Sequence, residues 1–243
     1  MATAWPYPRW IAHRGAGRLA PENTLAAFAL GHAHGYRMFE CDVRLSADGR
    51  AFLLHDDSLE RTTDGVGEAL ARNWAELARL DAGAWHSPRY AGERLPTLDA
   101  ILAFCMHHRC ALNVELKPAP GDAQRTGEVV AVEIARRWVG TPPPLLSSFA
   151  PEALAAAAEA APQLPRGLLL ERFADGWLES AQRLDCIAIV AEQRAWSAET
   201  AAAASAAGLH RLAYTVNDDA EAARLLGLGL DGLITDRVDH FRP

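Results

Sequence analysis

Apolar positions along this chain change period repeatedly. Short runs that are apolar throughout, or at alternate residues, give way to stretches with apolar residues three and four apart. The first pattern predicts strands at about 10–13, 38–45, 111–116, 145–149, 166–170, 187–191, 211–216 and 232–235. The second predicts helices near 24–34, 98–108, 127–139, 151–160, 176–183, 197–207 and 219–226. Such alternation makes a parallel sheet covered by helices. Eight strands in a chain of 243 residues is the count for a closed TIM (β/α)8 barrel of the α/β class. A doubly wound open sheet is the rival. It is disfavoured by the turn after the first strand, Gly15-Ala16-Gly17-Arg18-Leu19-Ala20, which lacks the third glycine of a dinucleotide fingerprint.

Two places break the rhythm. Ser46-Ala47-Asp48-Gly49-Arg50 signals a hairpin, and a two-residue Asp48-Gly49 turn would place Asp42 opposite His55. Residues from about 58 to 96 carry Arg61-Thr62-Thr63, Gly65, Gly67, two tryptophans and Pro88 without any barrel period. They are expected to form an insertion over the barrel mouth, within one domain spanning 1–243. Trp74 and Trp85 are expected to pack in its local core.

Composition narrows the function. Half the residues are hydrophobic, ample for a core, and the net charge of -7 disfavours a general nucleic-acid or membrane-surface binder. No apolar run reaches the ~18 residues of a membrane span, so stable membrane insertion is not expected. The first residues lack a charged segment followed by an apolar one, so no signal peptide is expected. Cys41, Cys105, Cys110 and Cys186 show no paired spacing and read as reduced, mostly buried thiols of a cytoplasmic protein. Lys117 is the only lysine among 24 basic residues, the rest being arginine. A compact point charge, which a planar guanidinium cannot replace, is the reason to keep it.

The candidate chemistry gathers at strand ends. His13-Arg14-Gly15, Glu40-Cys41-Asp42, His55-Asp56 and Glu115-Leu116-Lys117 each close an apolar run. Side chains alternate along a strand, so Glu40 shares a face with Asp42, and Glu115 with Lys117. In a parallel barrel both strand faces are buried, and buried carboxylates need a cation or hydrogen-bond partners; one lysine cannot neutralise three of them. Glu40, Asp42 and Glu115 therefore point to one divalent cation, and oxygen-only ligands favour Mg or Ca over zinc. His13 and His55 form an acid–base pair near neutral pH. Arg14 offers the fork of a phosphate clamp. Asn23 reads as the N-cap of the first helix, and Glu22 as a chiefly structural neighbour, the alternative being that it helps order the metal shell. Tyr214 and Asn217 are expected on the substrate wall, with Asp236 a weaker candidate at the mouth. The other histidines show no ligand spacing.

In this order His13-Arg14-Gly15, Pro21-Glu22-Asn23-Thr24, Glu40-x-Asp42, His55-Asp56-x-x-Leu59-x-Arg61-Thr62-Thr63, Glu115-Leu116-Lys117, Thr215-Val216-Asn217 and Asp231-Gly-Leu-Ile-Thr-Asp236 resemble the motifs of glycerophosphodiester phosphodiesterases across essentially the whole chain. Trp5-Pro-Tyr-Pro-Arg9, Leu164-Pro-Arg-Gly-Leu-Leu-Leu170 and Tyr214 look closest to the cytosolic bacterial UgpQ type, associated with glycerophosphodiester uptake. The resemblance implies a barrel hydrolase that converts small-molecule sn-glycero-3-phosphodiesters to sn-glycerol 3-phosphate and an alcohol. It implies a divalent ion on Glu40, Asp42 and Glu115, catalysis by His13 and His55, and phosphate stabilisation by Arg14 and Lys117. The attacking oxygen is either water or the substrate's own 2-hydroxyl. Two alternatives keep the barrel: a phospholipase-type phosphodiesterase, and a non-catalytic phosphodiester-binding barrel.

Overall fold

The computed structural model describes residues 4–243. Its strands are β1 (Trp10–Ala12), β2 (Met38–Leu45), β3 (Ala51–Leu53), β4 (Ala111–Leu116), β5 (Leu145–Ser148), β6 (Arg166–Leu170), β7 (Ala188–Glu192), β8 (His210–Tyr214) and β9 (Gly232–Thr235). All but β3 run parallel in the order β1-β9-β8-β7-β6-β5-β4-β2. Pairing of β1 with β2, Ala12 opposite Phe39, closes the ring. The sheet is therefore a TIM barrel, and the open-sheet alternative is excluded.

The helices are α1 (Leu25–Ala33), α2 (Trp74–Leu77), α3 (Leu98–His108), α4 (Ala123–Arg137), α5 (Pro151–Ala160), α6 (Trp177–Arg183), α7 (Ala198–Ala206) and α8 (Asp219–Gly227). Several start where a short polar side chain accepts a first-turn N–H: Thr24 for α1, Thr97 for α3, Ser197 for α7 and Asp218 for α8. The cap of α1 is thus Thr24 and not Asn23. No helix among the described residues is long and apolar enough to cross a membrane. All four cysteines are buried and free.

Strand alternation divides the core. Phe39, Cys41, Val43, Leu112, Val114 and Leu116 pack outward in the layer of buried residues beneath the helices. Ile11, Met38, Leu145, Leu169, Val190, Leu212 and Ile234 fill the barrel interior. Burying each large aliphatic side chain contributes about 1.5–3 kcal/mol. Two residues further along each strand the inward row turns polar. Ile11 gives way to His13, Met38 to Glu40, Leu169 to Glu171, Val190 to Glu192 and Ile234 to Asp236. The barrel floor is thus oily and its C-terminal mouth carries the titratable side chains, at the end where the fold places active sites.

The hairpin differs from its expected register by one residue. Val43 pairs with Leu53, Arg44 with Phe52 and Leu45 with Ala51, so Asp42 lies opposite Leu54, whose N–H donates to the Asp42 carbonyl at 3.1 Å. The turn is longer than two residues. Ser46 N–H donates to the Arg50 carbonyl (3.0 Å), and Arg50 N–H donates back to Ser46 Oγ (2.9 Å). His55 consequently stands beyond the end of β3. The segment after it buries Leu59, Ala69, Leu77, Ala82 and Leu95 against Phe52 and Leu54, with Trp74 alongside. Trp85 departs from expectation: it is 41% exposed and borders a small cavity beside His13.

Candidate active site

The turn after β1 is held in an unusual shape. Arg14 has φ 51, a region that costs an ordinary side chain about 1–2 kcal/mol. Three contacts hold it there. Arg14 N–H donates to Glu40 Oε2 (3.1 Å), Nη1 donates to Glu22 Oε1 (2.8 Å), and Nε lies 3.1 Å from Asp42 Oδ2. Gly17, at φ 55, approaches β9 so closely that a Cβ would collide with the Asp236 backbone.

Glu40, Asp42 and Glu115 come together on β2 and β4, where Asp42 and Glu115 are register partners. One oxygen from each lies within 4.8 Å of the others. Glu40 is 3% exposed and Asp42 1%. Burial, reinforced by the charge of Asp42, holds both Glu40 and Glu115 above the usual carboxylate range. Burial pushes Asp42 upward too, but Arg14, His55, Lys117 and a hydrogen bond from Asn23 outweigh it and hold Asp42 low. Asp42 Oδ1 is buried with no hydrogen-bond partner among the described residues. Three converging hard oxygens, one of them orphaned, fit a divalent cation. Lys117 Nζ donates to Glu115 Oε1 at 3.0 Å and stands 3.8 Å from Asp42 Oδ1.

Asn23 belongs to this cluster. With φ 58 it turns inward, its amide donates to Asp42 Oδ2 (2.8 Å), and its Oδ1 accepts the Asp42 N–H (3.2 Å). Glu22 reaches the cluster only through Arg14.

Each candidate histidine is braced by a carboxylate. His13 Nδ1 lies 2.7 Å from Asp236 Oδ1, and His55 Nδ1 lies 2.7 Å from Asp56 Oδ1. Because carboxylates accept, both rings carry the Nδ1 proton and leave Nε2 for other work. Burial opposes charge on His13, yet the Asp236 hydrogen bond and the Glu40 carboxylate outweigh it and hold its pKa above the usual value. Burial lowers His55, Arg14 and Lys117 add to this, and Asp42 and Asp56 oppose it only in part.

His13, Arg14, Glu40, His55, Glu115, Lys117 and Tyr214 all line one cavity of about 650 Å³ at the mouth. An adjoining groove of about 810 Å³ shares His55, Glu115, Lys117 and Phe149 with it. Tyr214 forms a wall, its hydroxyl donating to the Leu170 carbonyl (3.0 Å) and its ring edge-on to Phe149. Asn217 does not join that lining. Its amide donates to Asp236 Oδ2 (2.8 Å), and its Oδ1 accepts the Asp236 N–H (2.9 Å), so it steadies the carboxylate behind His13. Sequence reasoning missed Glu171, Glu192 and Asn113, which also line the cavity. The signal was present, since Glu171, Glu192 and Asn113 each stand two positions from an inward apolar residue.

Together with a family match, the barrel and its mouth identify the chain as a phosphodiester-cleaving enzyme. The chain belongs to the glycerophosphoryl diester phosphodiesterase family, which residues 13–240 match. A glycerophosphodiester phosphodiesterase of Caldanaerobacter subterraneus subsp. tengcongensis is 29% identical over 231 residues, covering 93% of each chain. YhdW of Bacillus subtilis (strain 168) is 34% identical over 235 residues, 95% of each chain. A phosphodiesterase of Oleispira antarctica, solved in complex with the product sn-glycerol-3-phosphate, superposes with a TM-score of 0.91 at 37% identity, covering 95% of this chain and 93% of its own.

Proposed function

We propose that this enzyme hydrolyses sn-glycero-3-phosphodiesters to sn-glycerol 3-phosphate and an alcohol. The observation that carries the reading is the pairing of two carboxylate-braced imidazoles with Arg14, Lys117 and three carboxylates around one cavity. The product seen in the Oleispira antarctica relative supports the substrate class. Glu40, Asp42 and Glu115 would hold one divalent cation, Mg or Ca. When bound, that cation supplies charge neutralisation to a phosphate oxygen.

The chain's own groups do the rest. Arg14 and Lys117 bind non-bridging phosphate oxygens and offset charge as it builds in the transition state. Nε2 of one histidine takes the proton of the attacking oxygen, and Nε2 of the other protonates the leaving alkoxide. The Nδ1 bonds to Asp236 and Asp56 keep each ring in the tautomer that these transfers need. Tyr214 and Phe149 wall the substrate. Within the family, the Trp5-Pro-Tyr-Pro-Arg9 and Leu164-Pro-Arg-Gly segments favour the cytoplasmic, uptake-associated branch.

The test is release of sn-glycerol 3-phosphate from glycerophosphocholine by purified protein, first with EDTA and then with Mg or Ca restored. Loss on chelation and recovery with one ion supports the reading. Folded protein that yields no product with either ion, or that prefers dispersed phospholipid, overturns it.

A further inference from the structure

Arg61 stands outside the cavity, on the segment that follows His55, with its side chain 44% exposed. All three of its guanidinium nitrogens nonetheless donate to carboxylates. Nη1 and Nη2 donate to the two oxygens of Glu22, each at 2.8 Å, while Nε and Nη2 donate to the two oxygens of Asp56. Both carboxylates have a second partner inside the site. Glu22 Oε1 also accepts from Arg14 Nη1 at 2.8 Å, and Asp56 Oδ1 holds His55 Nδ1 at 2.7 Å.

One planar cation therefore lies midway along an unbroken chain of contacts: Arg14, Glu22, Arg61, Asp56, His55. Its ends come from different parts of the barrel, the β1 turn and the hairpin exit. We infer that Arg61 is a positioning residue that sets the phosphate-binding Arg14 and the proton-transferring His55 at a fixed spacing, by sharing its guanidinium between Glu22 and Asp56. This role rests on the reaction proposed above.

Two physical arguments favour positioning over simple stabilisation. A half-exposed ion pair contributes only about 0–1 kcal/mol to stability, so the fold has little use for this one. Geometry is another matter. A bidentate fork on each side fixes both carboxylate planes, and a misplacement of about 1 Å in a catalytic group can cost about 10²-fold in rate. Lysine, with one point charge, can satisfy one carboxylate and not the plane of both. Burial alone would also raise Glu22, and it is the hydrogen bonds of Arg61 and the charge of Arg14 that keep it ionised.

The experiment is steady-state kinetics on glycerophosphocholine with wild type, Arg61→Ala, Arg61→Lys, Glu22→Gln, Asp56→Asn and the Arg61→Ala/Asp56→Asn double variant. Arg61→Ala is expected to raise KM and lower kcat together, with kcat/KM down about 10- to 100-fold, the range for outer-shell partners. Glu22→Gln is expected to act mainly on KM and Asp56→Asn mainly on kcat. In the Arg61→Ala background, Asp56→Asn is expected to cost far less than it does alone. Arg61→Lys is expected to stay impaired with an unchanged melting temperature, and it carries the test if the alanine variant fails to fold. Wild-type KM and kcat in Arg61→Lys, or multiplicative losses in the double variant, would overturn the role while leaving the reaction intact. Inactive wild type would overturn the reaction and this role with it.

Discussion

Asp236 Oδ1 lies 2.7 Å from His13 Nδ1, although 223 positions separate the two residues in the chain. The carboxylate is itself held by the Asn217 amide, so its direction is set before substrate arrives. Asp236→Asn is expected to lower kcat by roughly 10²-fold, since the ring loses both its tautomer and its orientation. KM and melting temperature are expected to change little. His13→Ala and His55→Ala set the scale, each losing at least ~10²-fold in kcat. An Asp236→Asn enzyme with wild-type kcat would show that the bond is incidental.

Lys117→Arg tests whether a point charge is required. The ammonium is 3.0 Å from Glu115 Oε1 on a side chain that is only 16% exposed, where the wider guanidinium meets the carboxylates at a different angle. A loss of at least ~10-fold in kcat/KM, about 1.4 kcal/mol of transition-state stabilisation, is expected. Normal kinetics in this variant would remove the argument drawn from the lone lysine.

Asn23→Ala removes two bonds to Asp42 and leaves a buried N–H without its acceptor, at a cost of about 1–3 kcal/mol. Alanine also tolerates the positive φ poorly. Cation affinity is expected to fall about 10- to 100-fold, readable by calorimetric titration, alongside a lower melting temperature. Unchanged affinity would place Asn23 outside the metal shell.

The carboxylate cluster is expected to make cation binding depend on pH. Burial, then the charge of Asp42, raises Glu40 to about 8 in the metal-free protein. Binding needs the deprotonated form, so affinity for Mg or Ca is expected to rise between about pH 6 and 9, with proton release on binding. The metal-free fold behaves oppositely. In the unfolded chain Glu40 has a pKa of about 4.3 and has already lost its proton, so stability falls as pH rises through the folded value. Melting curves of EDTA-treated and cation-loaded protein across this range check both signs. A pH-independent affinity would contradict the coupling.

Much of the fold was legible because period reports burial. The expected bounds of β2, β4, β6 and β9 match those observed, each being a buried, largely apolar run, and in β2 and β4 the polar residues fall at inward positions toward the mouth. The hairpin register was not legible. Asp48-Gly49 has the composition of a two-residue turn, but the Ser46 hydroxyl bonds both Asp48 and Arg50 and makes the loop longer. Asn23 was misread for a related reason: a small polar residue before a helix suits a cap, yet Thr24 takes that place and frees Asn23 for Asp42. The carboxylates behind the histidines differ in kind. Asp56 is adjacent to His55 in sequence, whereas Asp236 reaches His13 only through barrel closure, which no local pattern encodes.

That closure carries a kinetic meaning. β1 and β9 meet at the seam of the ring, with Gly17 pressed against Asp236 where they join. During synthesis, or midway through refolding, a chain can already hold β2, β4 and their three acids while His13 still lacks its partner. A chain in that state would lack the Asp236 bond to His13 and is expected to turn over substrate far more slowly than the closed barrel. Recovery of full turnover is therefore expected to follow the joining of β9 to β1, and to trail the recovery of secondary structure.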